Sequence, residues 1–238
     1  MLNGLGWRYV FLLPLFAVPI GLLVLFRLHG PVPQERQNLR LYLRNVTISL
    51  KNRSALLYFG AGLVFFIILY GPYLTYLPLF LADNFQAKPL QIGLTFSGMS
   101  IVTAVTSSQA GRLTRRFGER FLLRLSFILY GCAFCLLPFL TKIWMVALPI
   151  SLYGVGQGVN MPSLQTLLAG LAPLEYRAAF LAVNGMVLRL GQTLGPLIAG
   201  ALYVFGGMHA AFFSGAAFAL LMFLLLTAWE PAPAGSPG

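Results

Sequence analysis

Charged residues are scarce in this chain. Only 9% of its 238 residues are Asp, Glu, Lys or Arg, whereas an average soluble domain has about 25%, and 58% are hydrophobic. This composition excludes an ordinary soluble protein and predicts a membrane protein. A net charge of +11 could also indicate a nucleic-acid-binding protein. The Lys and Arg residues, however, stand in short segments between apolar runs, a pattern typical of basic cytoplasmic loops.

Acidic residues and histidines are rarer still, and none falls inside a long apolar stretch. A proton relay through a buried carboxylate therefore cannot be built from these residues alone. Because neither histidine lies within an apolar stretch, an intramembrane Ser-His protease or a histidine metal site is disfavoured. The sequence also contains no phosphate-binding loop. We expect neither an enzyme nor a bound metal or cofactor. The residues concerned are Glu35, Asp83, Glu119, Glu175, Glu230, His29 and His209.

Only two cysteines occur, Cys132 and Cys135, both inside an apolar run. A Cys-x-x-Cys pair can be a redox pair or half of a metal site, but no histidine or second pair accompanies this one. We interpret the two as small packing residues on one face of a lipid-buried helix.

Long apolar stretches dominate what remains. A transmembrane helix needs about 20 apolar residues, and seven stretches qualify, so the sequence predicts an all-α membrane protein with seven transmembrane helices. Gly71-Pro72 predicts a kink in the second stretch. The uncharged run from Leu190 to Trp229 is too long for one helix, and Gly206 to His209 predicts its break. The stretches are Tyr9–Phe26, Ala55–Ala82, Pro89–Ala110, Phe121–Leu140, Ile143–Leu168, Ala178–Val204 and Ala210–Ala228.

These stretches divide the chain into four parts. Residues 1–28 form a single transmembrane helix, and residues 29–54 form a basic linker whose Leu39, Leu43, Val46 and Leu50 predict a surface amphipathic helix. Residues 55–229 form a six-helix bundle. The Pro-, Ala- and Gly-rich tail 230–238 is predicted to be disordered.

The distribution of basic residues predicts the orientation. Twelve Lys and Arg residues fall on one side of the predicted helices and three on the other, which places the 29–54 linker and the C-terminus in the cytoplasm. The run from Gly111 to Arg120 is then a tight cytoplasmic turn. The twelve are Arg27, Arg36, Arg40, Arg44, Lys51, Arg53, Arg112, Arg115, Arg116, Arg120, Arg124 and Arg177; the three are Arg8, Lys88 and Lys142.

Polar residues within the apolar stretches are candidates for a substrate cavity, because a polar group in lipid needs a partner or water. On the sixth stretch Arg189, Gln192, Thr193 and Pro196 share one face at 100° per residue, opposite a small-residue packing ridge of Gly191, Gly195 and Ala199. Arg189 and Asn184 either face a cavity or anchor the structure.

The fifth and second stretches add further candidates. Gly154 and Gly158 predict close helix packing, while Gln157 and Asn160 either line a polar path or bond a neighbouring helix. Tyr70 and Tyr73, beside the predicted kink, either form an aromatic wall for an amphipathic ligand or make ordinary helix contacts.

Three motifs resemble one family of transporters. Gly111-x-Leu113-x-x-Arg116-Phe117-Gly118-x-Arg120 resembles the cytoplasmic loop motif of the major facilitator superfamily. Pro173-x-Glu175-x-Arg177-Ala178, followed by Arg189-Leu190-Gly191-x-x-Leu194-Gly195-Pro196-x-x-Ala199-Gly200, is similar to the loop and eleventh helix of its bacterial drug exporters. Trp7-Arg8-x-x-Phe11 through Pro19-x-Gly21 is similar to the start of their sixth helix.

The resemblance implies a fold and an activity. The chain would correspond to the sixth through twelfth helices of a proton-coupled exporter of drugs or other small molecules in the bacterial inner membrane. The five preceding helices, and with them the coupling carboxylates, would be missing, so the lipid bilayer, a small-molecule substrate and the missing N-terminal half are the expected partners.

The resemblance also assigns roles to residues. It implies a gating loop of Gly111, Arg115, Arg116, Gly118, Glu119 and Arg120, and packing by Pro196 and Gly200 beside the glycines already named. The family usually has an Asp where Arg115 stands and a basic residue where Glu119 stands, so the charge pair is reversed in this chain.

A second hypothesis needs no transport. A complete seven-span protein could act as an interaction or scaffold subunit, and it would be stable and monodisperse when expressed alone. A half-transporter would instead aggregate or require its complement.

Overall fold

The computed structural model describes residues 18–19, 21–23, 52–172 and 177–229. Two units are distinguished, Met1–Leu39 and Arg40–Gly238. In the first, residues 18–19 and 21–23 are helical and exposed. Most of the predicted first helix, the amphipathic linker helix and the tail 230–238 lie outside the described residues, so those predictions remain untested.

The described part of the second unit is helical, with no strand. A π-helical segment, Leu69–Tyr76, joins the first two helices, and short 3₁₀ turns at Leu137–Phe139 and Ile143–Val146 join α4 to α5. Helix α6 is interrupted by non-helical backbone at Gly206 and Gly207, where the sequence predicted a break. The helices are α1 (Arg53–Ile68), α2 (Leu77–Phe85), α3 (Pro89–Phe117), α4 (Glu119–Leu136), α5 (Ala147–Leu171) and α6 (Arg177–Ala228).

Local chemistry places the helix ends. The Asn52 side chain accepts a hydrogen bond of 2.9 Å from the Ser54 N–H at the start of α1. Pro89 occupies the first position of α3, and the Lys88 N–H donates to the Gln91 side chain at 2.8 Å. Gln86, with φ of 49°, ends α2 in the left-handed conformation.

The boundary between α3 and α4 is shorter than the sequence predicted. The run from Gly111 to Arg120 is not a ten-residue turn, because α3 continues through Phe117 and α4 begins at Glu119. Gly118 alone breaks the helix, with φ of 80° and ψ of 151°. Arg115 and Arg116 lie in the last turn of α3, where positive charge suits the helix dipole, so this arginine-rich run is compatible with a helix.

The predicted kink takes the form of the π segment. Pro72 has no N–H to donate within the helix, and a wider turn accommodates its ring. The Thr75 hydroxyl donates to the Tyr70 carbonyl at 2.7 Å, which satisfies an acceptor in this turn. The kink is therefore hydrogen-bonded internally.

Four helical stretches of the described residues are long and apolar enough to cross a membrane. The longest, at 52 residues, would be about 78 Å long, more than twice a hydrocarbon core of about 30 Å, so its interruption at Gly206–Gly207 divides it into two crossings. Helix α5 is 25 residues long but is less apolar, because it contains five glycines or amides between Gly154 and Asn160. The chain is a multi-pass membrane protein; the count of seven helices stays a prediction. The four are Arg53–Phe85, Pro89–Phe117, Glu119–Phe139 and Arg177–Ala228.

Packing between the helices follows a simple order. Helix α6 packs on α1 and the π segment, α4 lies between α5 and α6, and α3 packs chiefly on α5. Aromatic side chains fill the centre, among them Tyr130, Phe134 and Phe212. Cys132 and Cys135 are free thiols exposed on the outer side of α4, the side that a bilayer would cover, and their packing role stays a prediction.

Candidate substrate site

The predicted small-residue ridge of α6 lies against α1 and the π segment. Gly191, Gly195 and Ala199 are buried, whereas Arg189 and Thr193 are exposed and Gln192 and Pro196 are half-buried. A Cβ at Gly195 would lie 2.8 Å from the Ile67 carbonyl oxygen, and one at Gly71 would lie 2.6 Å from the Gly195 carbonyl oxygen. The two backbones therefore touch, and the polar residues of α6 border the contact. Gly200 approaches the Tyr76 hydroxyl less closely.

A second close contact joins α3 and α5. A Cβ at Gly158 would lie 2.6 Å from the Thr106 Cβ, and one at Gly154 would lie 3.1 Å from the Met99 carbonyl oxygen. The Thr103 hydroxyl donates to the Gly154 carbonyl at 3.2 Å. Small residues on α5 and threonines on α3 thus allow this pair to pack closely.

Asn160 bonds a neighbouring helix. Its Nδ2 donates to the Ser126 Oγ of α4 at 2.7 Å, and that hydroxyl donates to the Leu123 carbonyl at 2.7 Å. Asn160 and Ser126 are both fully buried. Gln157, one turn away, is half-buried, and its Oε1 has no partner among the described residues.

Tyr73 lies in a closed aromatic stack. Its ring is parallel to Tyr153 at a centroid distance of 4.2 Å, and Tyr153 lies 4.9 Å from Tyr130. Tyr73 is only 2% exposed, so it does not form an open wall in this conformation. Tyr70 is half-buried and stacks on Phe66 at 5.6 Å. The two predicted wall residues therefore have different surroundings.

Three further polar residues of the interior, Tyr130, Tyr153 and Ser126, were not predicted as site residues from the sequence. The hydroxyls of Tyr73, Tyr130 and Tyr153 are buried without a partner in the described part of the chain, which is costly unless water or a ligand reaches them. A signal was present: Ser126 and Tyr130 are four residues apart, and Tyr153, Gln157 and Asn160 recur at helical spacing. These residues give the interior a polar row along α4 and α5.

The two candidates from α6, Asn184 and Arg189, differ in how deeply they are buried. Asn184 is 5% exposed, and its Oδ1, which has no partner among the residues described, faces α1 near Gly62. Arg189 is exposed. The described ranges contain no cluster of His, Cys, Asp or Glu that could hold a metal ion.

The predicted gating residues lie at one end of the bundle. Gly111, Arg115 and Arg116 are exposed on the last turns of α3, and the Arg116 guanidinium lies 5.4 Å from the Phe117 ring centroid. Glu119 occupies the first turn of α4, where its carboxylate interacts favourably with the positive end of the helix dipole. Arg120 lines a cleft with Tyr58, Arg124 and Leu226.

Helix α3 has an unburied polar face, although it is long and apolar enough to span a membrane. Only Met99 and Ala110 of its 29 residues are buried. At 100° per residue, the side opposite α5 divides into an apolar strip with Leu94 and Ile101, and a strip of small residues, here called the α3 small strip. That strip consists of the exposed residues Gly93, Ser97, Ser100, Ala104, Ser107, Ser108 and Gly111.

Comparisons with known proteins agree on a family. A family model described as Major Facilitator Superfamily matches residues 73–238. The class C tetracycline resistance protein of Escherichia coli is 30% identical over 122 residues, which is 51% of this chain and 31% of that protein. The multidrug resistance protein MdtG of Proteus mirabilis is 25% identical over 173 residues, which is 67% of this chain and 43% of MdtG.

A solved structure has the same fold. The crystal structure of the human organic anion transporter MFSD10 superimposes with a TM-score of 0.62 at 23% identity, covering 93% of this chain and 48% of that one. The chain spans less than half the length of each of these three relatives.

Proposed function

The chain belongs to the major facilitator superfamily, and we propose that it is the substrate-binding C-terminal bundle of a secondary transporter that exports amphipathic drugs or other small molecules. The observation that carries the proposal is the α3 small strip. Small and polar residues on a membrane helix favour contact with another helix or with water, although the Ser100 and Ser108 hydroxyls also bond carbonyls of their own helix. The strip is therefore a surface that another helical segment or a substrate path must cover.

A second helical half is the occupant that fits this strip best. Small residues let helix backbones approach closely, as the glycine contacts of α5 and α6 illustrate within the bundle. Transporters with two helical halves bind substrate between them near the membrane midplane and rock about that site. We propose that an N-terminal half packs on the α3 small strip and that the substrate binds where the two halves meet.

The exposure of the predicted cavity residues indicates which of their side chains a substrate can contact. Tyr70, Gln192 and Arg189 are half-buried or exposed, so a ligand can reach them. Tyr73, Asn160, Asn184 and the Oε1 atom of Gln157 are enclosed in this conformation. Tyr70 provides an aromatic face, and the Gln192 amide provides hydrogen bonds. Such a surface suits an amphipathic ligand better than a sugar.

The proposal also covers the proton coupling of transport and the membrane in which the protein lies. Asp83 and Glu119, the acids among the described residues, lie at helix ends, so proton exchange would use carboxylates of the other half. Tetracycline resistance and multidrug resistance in the names of two relatives support export. We place the protein in the bacterial inner membrane with its C-terminus in the cytoplasm, on the basis of the uneven loop charges.

An efflux assay tests the proposal. The open reading frame that contains this chain is expressed in an efflux-deficient bacterial strain, and ethidium and tetracycline accumulation is measured with and without an uncoupler. We expect energy-dependent export that Gln192→Leu reduces about tenfold and Ser100→Trp abolishes. Gly98→Leu is a matched control, because nothing lies within 4 Å of a Cβ there. Unchanged accumulation of ethidium, tetracycline and an organic anion would refute drug transport and favour the scaffold hypothesis.

A further inference from the structure

An open apolar groove runs along the outside of the bundle between α4 and residues 208–228 of α6. Its volume is about 510 Å³, and its walls include Phe127, Gly131 and Cys135 on α4 and Leu220 and Phe223 on α6. Its lining is almost entirely apolar, and Leu220 is 57% exposed to the outside. In a bilayer this groove faces lipid, and an apolar lining of this kind is suited to a hydrocarbon chain.

The groove ends at a basic group. Arg124 lies four residues before Ile128, on the same face of α4, and its Nε donates to the Leu226 carbonyl at 3.1 Å. Leu226 in turn follows Phe223 by three residues on the opposite wall. Arg124 therefore bridges α4 and α6 one turn beyond the groove, and it also lines a cleft with Tyr58 of α1.

An aromatic and basic pair occupies the same end of the bundle. The Arg53 guanidinium lies 5.3 Å from the Trp229 ring centroid, and Trp229 is 44% exposed. Helix α1 begins there, α4 begins there and α6 ends there. Tryptophan and arginine in this position are typical of the headgroup level of a bilayer.

The length of the groove matches the thickness of one leaflet of the hydrocarbon core. From Arg124 to Cys135 is eleven residues, or about 16 Å along the helix, and half of a hydrocarbon core is about 15 Å. A chain whose headgroup lies at Arg124 would thus extend to about the midplane. Guanidinium groups pair with phosphate through two parallel hydrogen bonds, and basic sites between membrane helices on the cytoplasmic side bind anionic headgroups.

We propose that this groove is a binding site for an anionic phospholipid, with one acyl chain between α4 and α6 and the phosphate at Arg124. The site lies on the outer surface and does not depend on the transport activity proposed above. Neither a soluble ligand nor a polar peptide fits, because the walls offer almost no polar surface.

Native mass spectrometry of the protein, expressed from the open reading frame that contains this chain, tests the site. The detergent-solubilised protein is titrated with dioleoyl phosphatidylglycerol and, separately, with zwitterionic dioleoyl phosphatidylcholine. We expect tighter binding of phosphatidylglycerol, weakened about fivefold by Arg124→Gln, with phosphatidylcholine unaffected. Thermal unfolding is recorded for this variant, because Arg124 also donates a hydrogen bond to the Leu226 carbonyl.

A second experiment blocks the groove with a larger side chain. A Cβ at Gly131 would meet its nearest neighbour at 3.9 Å, so Gly131→Leu fills the groove without displacing backbone. It should remove phosphatidylglycerol binding, while Gly98→Leu on α3 should not. Equal affinity for the two lipids, or full binding to Gly131→Leu, overturns the proposal. So does a protein dimer that Gly131→Leu dissociates, since a second copy would then be the occupant.

Discussion

At the scale of single residues, Asn160 shows how a polar group is kept inside a membrane bundle. Its bond to Ser126 links α5 to α4, and both residues are fully buried. Asn160→Ala removes the bond, and interhelical bonds of this kind contribute about 0.6 to 1.7 kcal/mol. We expect the free energy of unfolding in detergent to fall by that amount. Gln165→Ala, at an exposed position of the same helix, is the control and should have no effect.

Gly158 tests the close contact between α3 and α5. A larger side chain would collide with Thr106, so Gly158→Leu should destabilise the protein by about 1 to 3 kcal/mol. Gly170→Leu places the same side chain on the same helix with nothing within 4 Å, and it should be neutral or slightly stabilising. Thermal unfolding midpoints of the two variants decide the matter; equal midpoints would mean that α3 does not pack on α5 through Gly158.

At the scale of helices, Gly118 separates α3 from α4. Its positive φ is unfavourable for any residue with a side chain, so Gly118→Ala should cost about 1 to 3 kcal/mol. Gly111→Ala, seven residues earlier within α3, meets nothing within 4 Å and should stabilise by less than about 1 kcal/mol. Denaturant unfolding of both variants provides the test. If Gly111→Ala is the more damaging change, the loop motif depends on Gly111 and the helix does not continue to Phe117.

Helix boundaries could be predicted only in part. The break at Gly206–Gly207 was predicted, because two glycines interrupt an apolar run that is too long for one crossing. The kink at Pro72 was also predicted, but its π-helical form depends on the Thr75 hydroxyl and on the close approach of Gly71 to Gly195, which is a tertiary contact. The end of α3 was predicted too early because charged residues were taken as a loop, although arginine is a good helix former.

At the scale of the whole molecule, composition alone was sufficient for the class of protein. An all-α membrane protein is confirmed, and so is the resemblance to the major facilitator superfamily, by the match over residues 73–238. The candidate site was harder to predict, because the sequence shows which face of a helix is polar but not what covers it. Asn160 and Tyr73 are polar residues in apolar runs, and the structure encloses both. Neither the α3 small strip nor Tyr153 was recognised, because serine and tyrosine are common in ordinary membrane helices.

Orientation in the membrane is the prediction that concerns the entire chain. The uneven distribution of Lys and Arg places Arg112 in the cytoplasm and Lys142 outside. Both residues are exposed; Arg112 lies near the end of α3, just before α4 begins, and Lys142 follows the end of α4. In a background with Cys132→Ala and Cys135→Ala, Arg112→Cys and Lys142→Cys are labelled in intact cells with a membrane-impermeant maleimide. We expect labelling of Lys142→Cys alone, and labelling of Arg112→Cys only after the cells are opened.

The opposite result would have a specific meaning. Labelling of Arg112→Cys in intact cells would place Arg53, Arg124 and Trp229 in the outer leaflet, and the basic end of the groove would then lie away from the cytoplasmic leaflet, where anionic lipids attract basic residues. The orientation of the molecule and the proposed lipid site are therefore linked through the same arginines. A reversed topology would remove the electrostatic reason for an anionic headgroup at Arg124, whereas the expected topology places that guanidinium at the leaflet whose lipids it can bind.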